Sequence, residues 1–227
     1  GYSELGNETM AMASVQASLK IGQQLQQPVI QKGGLTILGS LHHRFGRFQE
    51  AISAYQSALA AQPNPNNVEI YAGLARVYTS LNQSATAIAF YKQAINGIEQ
   101  KRQNLQGLSF DLKKSFLDAR FGILDVKTAD ICRQLADLLI SQGRLGEAEN
   151  VLALLKEQEI KDFTQPTRSQ EKPPEVALNE LEAALIAKHT SLIAFSQKLR
   201  DCGTQASETC RQLRQELKPV SYTHLTL

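Results

Sequence analysis

Two adjacent imidazoles, His42 and His43, are the side chains of this sequence best suited to chemistry. Histidine binds metal ions and titrates near neutral pH, so the pair could hold a metal or respond to acidity. Neighbouring residues of a helix point about 100° apart, however, which disfavours one shared ligand site. We therefore expect the pair to serve packing, with His42 facing the core.

Three cysteines, Cys132, Cys202 and Cys210, offer thiol chemistry. Zinc sites need paired ligands a few residues apart, a pattern that these cysteines do not form. Cys202 and Cys210 could pair in an oxidising compartment, yet disulfides are rare in the cytosol, and we expect two free thiols. Cys132 is expected to be a small buried hydrophobe.

The sequence contains no familiar motif of a catalytic site. A phosphate-binding loop, an H-E-x-x-H helix and a G-x-S-x-G elbow are all absent. Asp111, Asp118 and Asp125 recur at regular intervals, which is typical of a solvated helix face and not of paired catalytic carboxylates. The sequence therefore predicts no enzyme, no metal and no cofactor in this chain.

The charge and hydropathy of the chain limit its partners. Its 24 Lys and Arg against 22 Asp and Glu leave a formal net charge of +2, too small a basic excess for non-specific binding to nucleic acid. No apolar stretch is long enough to span a bilayer. The chain begins at Gly1 and not at methionine, so a signal peptide could precede it, although a cytoplasmic location is favoured.

The elements that would position these side chains repeat along the chain. Residues 35–63 carry small, turn and aromatic residues at characteristic offsets: Leu38, Gly39, Gly46, Phe48, Ala51, Tyr55, Ala58 and Pro63. The same frame fits residues 68–97, with Asn82 in place of the turn glycine, and residues 129–156, with Gly143. The tail of a further repeat fits Tyr2, Gly6, Ala11 and Val15. Each unit predicts two helices, A and B, joined by a left-handed turn.

Small residues at fixed positions set the distance between the two helices of each unit. They are Gly39, Ala75 and Ala136 in helix A, and Ala51, Ala87 and Ala148 in helix B. Large aromatic residues fill the space between units: Tyr55, Tyr78 and Tyr91. Because each unit has an apolar face that only its neighbour can cover, the units are expected to stack into a superhelix.

These offsets resemble the tetratricopeptide repeat, a helix-turn-helix unit. The resemblance implies an all-α fold, in which a tetratricopeptide superhelix is followed by a helical hairpin. We expect repeats over residues 1–97, the first of them truncated, then an inserted helix over residues 98–128 and a final repeat over residues 129–163.

The C-terminal part of the chain is expected to form a separate unit. Three prolines among polar residues mark a linker over residues 164–176. A helical hairpin is expected over residues 177–219, with one apolar face formed by Leu178, Leu181, Leu185, Leu192, Phe195 and Leu199. This face predicts coiled-coil-like packing against a second helix near residues 207–218. Residues 220–227 resemble a translated sequencing adaptor and are expected to be an artefact.

The run over residues 129–163, with the insertion before it and the hairpin after it, resembles the region that joins tetratricopeptide repeats to a CHAT domain. Such proteins are common in cyanobacteria. The resemblance implies a caspase-like cysteine peptidase with a His–Cys dyad downstream, so that this chain would be a fragment of a longer protein. No cysteine of the chain matches the catalytic motif of that family, and neither does the sequence around His189.

The resemblance also implies where a partner binds, because tetratricopeptide repeats contact partners through the inner face of each helix A. Carried over by position, the expected contacts are Thr36, Ser40, His43 and Arg44; Glu69, Ala72, Arg76, Thr79 and Ser80; and Asp130, Arg133, Asp137 and Ser141. This set lacks the Lys, Asn and Arg arrangement with which some members grip a C-terminal carboxylate. Ordinary solvent-facing polarity would explain the same residues equally well.

Three functions are compatible with these features. The favoured function is a scaffold that binds a peptide or protein partner on the inner face. The second is a regulatory arm that packs on a downstream peptidase domain and restrains it. The third is a structural module that self-associates through the apolar face between Leu178 and Leu199.

Overall fold

The computed structural model describes residues 2–62, 67–104, 127–163 and 176–202. These residues form helices and connecting turns without any strand, which confirms the all-α fold class. Eight helices lie in the described ranges: α1 (Tyr2–Gln24), α2 (Pro28–Arg44), α3 (Phe48–Ala61), α4 (Val68–Ser80), α5 (Ser84–Asn104), α6 (Thr128–Ser141), α7 (Leu145–Phe163) and α8 (Glu180–Cys202).

Helices α2 to α7 form three neighbouring pairs, and α1 precedes them. Helix α2 packs on α3, α4 on α5 and α6 on α7, and these are the A and B helices of three repeats. Successive pairs touch through α3 with α4 and through α5 with α6, while α1 packs on α2. The predicted insertion begins inside α5, and its residues 105–126 lie outside the described residues.

Four turns of the array share one backbone geometry. Their central residues have positive φ angles: 50° at Gln26, 72° at Gly46, 57° at Asn82 and 72° at Gly143. In each turn the next amide N–H donates to a carbonyl at the end of the preceding helix, at 2.8–2.9 Å. This bond ends a helix on a left-handed residue. The prediction that Asn82 replaces the turn glycine is confirmed, whereas Gln26 carries no sequence signal for its turn.

The ring of Tyr55 lies between two glycines of different repeats. A Cβ atom on Gly39 of α2 would lie 2.8 Å from this ring, and a Cβ on Gly73 of α4 would come closer still. The prediction that Gly39 lets helix A approach helix B is therefore confirmed. Gly73 plays the same part between repeats, and the sequence frame had assigned it no role.

Aromatic and small side chains form the core between the pairs, as predicted. The rings of Tyr78 and Phe90 stack with centroids 5.6 Å apart. Tyr55 and Tyr91 are buried as well, and so are the alanines at the predicted contact positions, including Ala51, Ala75, Ala87, Ala136 and Ala148. Interlocking of large rings with small residues is what holds neighbouring repeats at a fixed distance.

Helix α8 lies on the array and does not stand apart from it. It packs against α3 and α5, the B helices of two successive repeats. Glu182 and His189 on this side are buried, while Ile186 and Ile193 pack on the core. The predicted apolar face is thus displaced by one residue from the face that is buried, and Leu181 stays 60% exposed.

Several expectations for the C-terminal part fall on residues that the structure does not describe. They concern most of the predicted linker (residues 164–175), the second helix of the predicted hairpin (residues 207–218) and the predicted artefact (residues 220–227).

Candidate functional site

The solvent-facing side of α2, α4 and α6, here termed the inner face, carries most of the predicted partner contacts. Arg44, Thr79, Arg133 and Asp137 are exposed. Ser40, His43, Glu69 and Arg76 are partly buried. The partly buried side chains are accessible to a partner and are also held in position by their neighbours.

Thr36 is a correction to the predicted set. Its side chain is fully buried, and its hydroxyl donates to the carbonyl of Lys32 at 2.8 Å within the same helix. This internal bond lets a hydroxyl lie in the core without an unsatisfied donor. Ala72 is also buried, at 1% exposure, so neither residue can touch a partner.

A hydrogen bond across the inner face connects two repeats. His43 Nε2 of α2 lies 3.0 Å from Ser80 Oγ of α4, and the same imidazole packs on the ring of Phe48. Burial lowers the pKa of His43 below its usual value, and the charge of Arg76 lowers it further. The ring is therefore neutral near physiological pH.

Arg76 occupies the centre of the inner face, where side chains of three other helices converge. Its charge lowers the pKa of His43 on α2 and opposes the effect of burial at Tyr55 on α3 and Tyr91 on α5. Burial nevertheless raises the pKa of each tyrosine to about 12, so both hydroxyls stay protonated. Nε of Arg76 donates to the carbonyl of Ala72 at a long 3.4 Å.

Hydroxyl groups extend this arrangement on both sides of Arg76. Ser40 lies beside the hydroxyl of Tyr55 and opposes the effect of burial on its pKa. The hydroxyl of Tyr91 donates to Gln134 Oε1 of α6 at 2.7 Å, and Thr79, whose own hydroxyl donates to the carbonyl of Ala75, lies beside it. Polar groups of all three repeats are thereby linked across one surface.

The ends of the inner face differ in charge. Near the beginning of α4, Glu69 lies close enough to Lys32 and Lys101 to raise the pKa of each lysine, against a larger lowering by burial. On α6, Arg133 and Asp130 form an exposed ion pair at 3.5 Å. The side of α2 and α4 is therefore more basic than the side of α6.

The sequence frame missed part of this site. Tyr55 and Tyr91 belong to helix B, and only their hydroxyl ends reach the polar groups of helix A. The repeat pattern predicted these tyrosines as core residues. A tyrosine side chain, however, has an apolar ring and a polar hydroxyl, and the pattern does not show that the hydroxyl reaches the surface while the ring is buried. Lys32 was missed because it precedes the repeat frame that begins at Leu35.

The histidines and cysteines singled out for chemistry have other environments. His42 is partly buried, and burial lowers its pKa. Cys132 is fully buried, as predicted. Cys202 is disulfide-bonded, so the expected free thiol is wrong at this position, while Cys210 lies outside the described residues. A cysteine's neighbours in space decide this pairing, and they were not visible in the sequence.

The opposite side of the array is held by α8 through buried polar contacts. Lys92 of α5 donates to Glu182 at 2.8 Å, to Glu147 at 2.6 Å and to the carbonyl of Ala177 at 2.8 Å. Arg144 pairs with both carboxylates. The bond from Arg144 holds the pKa of Glu147 below its usual value. This network lies on the B-helix side of the array, and Tyr78 of the A helix α4 reaches α8 through a hydrogen bond to His189.

Among the described residues, no cluster of His, Cys, Asp and Glu side chains could hold a metal ion. No helix in the same part of the chain is long and apolar enough to cross a membrane.

The helical pairs, their left-handed turns and their small-residue contacts agree with the comparison to known families. Residues 35–100, from α2 into α5, match the family described as Tetratricopeptide repeat. No curated protein and no solved structure matches the chain. The all-α helical pairs of this part of the chain agree with that match, so residues 35–100 are similar to tetratricopeptide repeats.

Proposed function

We propose that this chain is a protein-interaction scaffold that binds a peptide or protein partner on the inner face of α2, α4 and α6. Tetratricopeptide repeats generally mediate protein–protein interaction, which supports the general function. The observation that carries the proposed location is the position of α8. This helix packs on α3 and α5, so the B-helix side of the first two full repeats is already occupied.

The side chains of the inner face support the same location. Two partly buried polar groups are held in place: His43 by its bond to Ser80 of α4 and its packing on Phe48, and Arg76 by a bond to the carbonyl of Ala72 in its own helix. A surface whose side chains are already ordered loses less conformational entropy when a partner binds. The inner face therefore suits specific binding better than the exposed surface of α8.

We further propose that the partner-binding region belongs to a longer protein with a CHAT domain downstream. The support is the resemblance of residues 129–163 to the region before such a domain. Determining the coding sequence on both sides of the chain tests this proposal. A downstream domain with a His–Cys dyad is expected, and an unrelated downstream domain would contradict it.

Thr79→Arg tests the proposed face. A library of random peptides displayed on phage is selected on the wild-type chain, and the binding of individual clones is compared between variants. Thr79 is exposed on α4, and its hydroxyl donates to the carbonyl of Ala75 at 2.9 Å. A long side chain at this position should block the face and weaken most selected clones about tenfold or more, the loss expected when an interface residue of high importance is obstructed.

Thr190→Arg is the matched control. Thr190 is exposed on α8, and its hydroxyl donates to the carbonyl of Ile186 at 2.9 Å in the same way. Clones should bind this variant as they bind the wild type. Equal binding to all three proteins, or selective loss at Thr190→Arg, would refute the inner face as the binding site.

A further inference from the structure

The charges of the inner face are unevenly distributed between its helices. Helices α2 and α4 contain three lysine and arginine residues, Lys32, Arg44 and Arg76, and Glu69 is their one acidic residue. Helix α6 has the opposite balance, with Asp130 and Asp137 against Arg133, which is already paired with Asp130. A partner that crosses the whole face would meet positive charge at one end and negative charge at the other.

Arg76 is the basic residue best placed to bind an anion. No carboxylate of the described residues lies within ion-pair distance of its guanidinium. The groups next to it are neutral, namely the imidazole of His43 and the hydroxyls of Tyr55 and Tyr91, and Glu69 of the same helix acts on Tyr55 without forming an ion pair with Arg76. A guanidinium has five N–H donors in a planar fork that matches a carboxylate, and in Arg76 the one protein bond is long.

The partial burial of Arg76 makes such binding favourable. A cation that is partly removed from water is poorly compensated by neutral neighbours, and a carboxylate would supply a charge-assisted hydrogen bond. Lys32 and Arg44 lie toward the two ends of α2 and would attract further negative charge over a longer distance. Lys32, Arg44 and Arg76 therefore form a basic band across α2 and α4.

We infer that the partner is an acidic peptide segment in which the side-chain carboxylate of an aspartate or glutamate binds Arg76, with further acidic residues over α2. This inference rests on the proposed function, because it specifies the chemistry of the ligand for the same face. A polyanion such as nucleic acid fits less well, since Asp130 and Asp137 on α6 would repel its continuous charge. A peptide can confine its acidic residues to the basic end of the face.

Sequencing of the peptides selected on the wild-type chain is the first test. Aspartate and glutamate should be enriched over the unselected library. Selection on Arg76→Glu should lose this enrichment, because the substitution places a negative charge at the centre of the band. If peptides are selected without acidic enrichment, the inference fails and the proposed function stands. If no peptide is selected at all, both fail.

The affinity of one enriched acidic peptide, carrying a fluorescent label, is the second test. Arg76→Gln should weaken binding about tenfold or more, the fold-change that corresponds to losing one hydrogen bond to a charged group. Binding of the wild type should weaken as salt is raised from about 0.1 M to about 1 M, because screening shortens the range of exposed charges. An affinity that is independent of salt and of Arg76 would overturn the inference.

Lys198→Glu provides the control for Arg76→Glu. Lys198 is exposed on α8, and the substitution changes the net charge of the chain by the same amount. Peptide binding should stay within about twofold of the wild type, an effect expected of charges beyond a Debye length. Equal loss in both variants would show that net charge and not Arg76 attracts the peptide. Displacement by a single-stranded oligonucleotide at equal charge concentration would favour a polyanion and would also contradict the inference.

Discussion

His189 places an ionisable ring in the contact between α8 and the repeats. Its Nε2 lies 3.0 Å from the hydroxyl of Tyr78, and its ring meets that of Phe90 edge-on with centroids 4.8 Å apart. Its other nitrogen, Nδ1, is buried and has no hydrogen-bond partner among the described residues. Burial lowers the pKa of His189 from 6.5 to about 4, and the nearby charge of Lys188 acts in the same direction. The folded state therefore strongly favours the neutral ring.

We expect the free energy of unfolding to decrease as the pH falls from about 6.5 toward 4. Within this interval the unfolded chain protonates His189 while the folded chain does not, so acid favours unfolding. The full difference corresponds to about 3 kcal/mol. Urea unfolding followed by circular dichroism over this pH range measures the effect.

His189→Gln is the control for this pH dependence. Glutamine cannot titrate, so the variant should lose less stability over the same interval, although it is less stable near neutral pH because the stacking contacts are gone. His42 and His43 contribute equally to both proteins, since their environments are unchanged. Identical pH slopes for the variant and the wild type would rule out His189 as the source.

At the scale of helices, the distance between α3 and α4 is set by the contact of Tyr55 with Gly73. The space that a Cβ of Gly73 would need is occupied by the tyrosine ring and its hydroxyl. Because the ring is packed against Gly39 on its other side, it cannot move away without opening the contact between α2 and α3. One side chain therefore couples three helices.

We expect Gly73→Ala to destabilise the chain by about 1–2 kcal/mol. Overpacking of a rigid core costs about 1–3 kcal/mol, and the better helix propensity of alanine recovers part of it. Gly146→Ala is the control, because a Cβ at this position of α7 would meet nothing within 4 Å. Denaturant midpoints of the two variants measure the difference. A Gly73→Ala protein as stable as Gly146→Ala would show that the ring can shift at no cost.

Local patterns predicted the elements well because they depend on near neighbours in the chain. The turn at Asn82 needed a left-handed residue, and the alanines of each B helix recur at a fixed offset, so both could be located without a structure. Gln26 adopts the same turn with a residue that gives no such signal. The backbone there is determined by the packing of α1 on α2, which the sequence does not display.

At the scale of the molecule, the sequence failed where contacts join distant parts of the chain. A lone lysine on a B helix usually faces solvent, yet the ammonium of Lys92 is bonded to Glu182, 90 residues away. The inner face was predicted from repeat positions, and most of its residues are accessible. The position of the tyrosine hydroxyls, and the lack of an ion pair between Arg76 and the described carboxylates, depend instead on three-dimensional neighbours. The position of a residue in the repeat predicts on which side of its helix the residue lies. It does not predict which group a charged side chain binds.

The network around Lys92 makes α8 part of the repeat array. The side chains of Lys92 and Glu182 are each only 1% exposed, so water can replace neither partner. Asn96 of α5 adds two bonds to the backbone of Val176, one to its N–H and one to its carbonyl. Breaking a buried ion pair by removing one partner leaves an uncompensated charge, which costs more than the pair contributes when it is intact. The docking of α8 should therefore be sensitive to either charge.

Glu182→Ala should reduce the free energy of unfolding by about 3 kcal/mol, the lower end for a broken buried ion pair, because Lys92 keeps its bond to the more exposed Glu147. Hydrogen exchange should show that amides of α8 lose protection before those of α4, because α8 then lacks its principal anchor to α5 while the contacts of Tyr55 and Tyr78 remain. Adding Lys92→Met to this variant should restore part of the stability, since the cation without a buried partner is removed. Glu180→Ala, at an exposed position of the same helix, is the control and should cost less than about 1 kcal/mol. If Glu182→Ala cost no more than Glu180→Ala, α8 would be held by its apolar contacts alone, and the ion network would have no part in attaching it to the repeats.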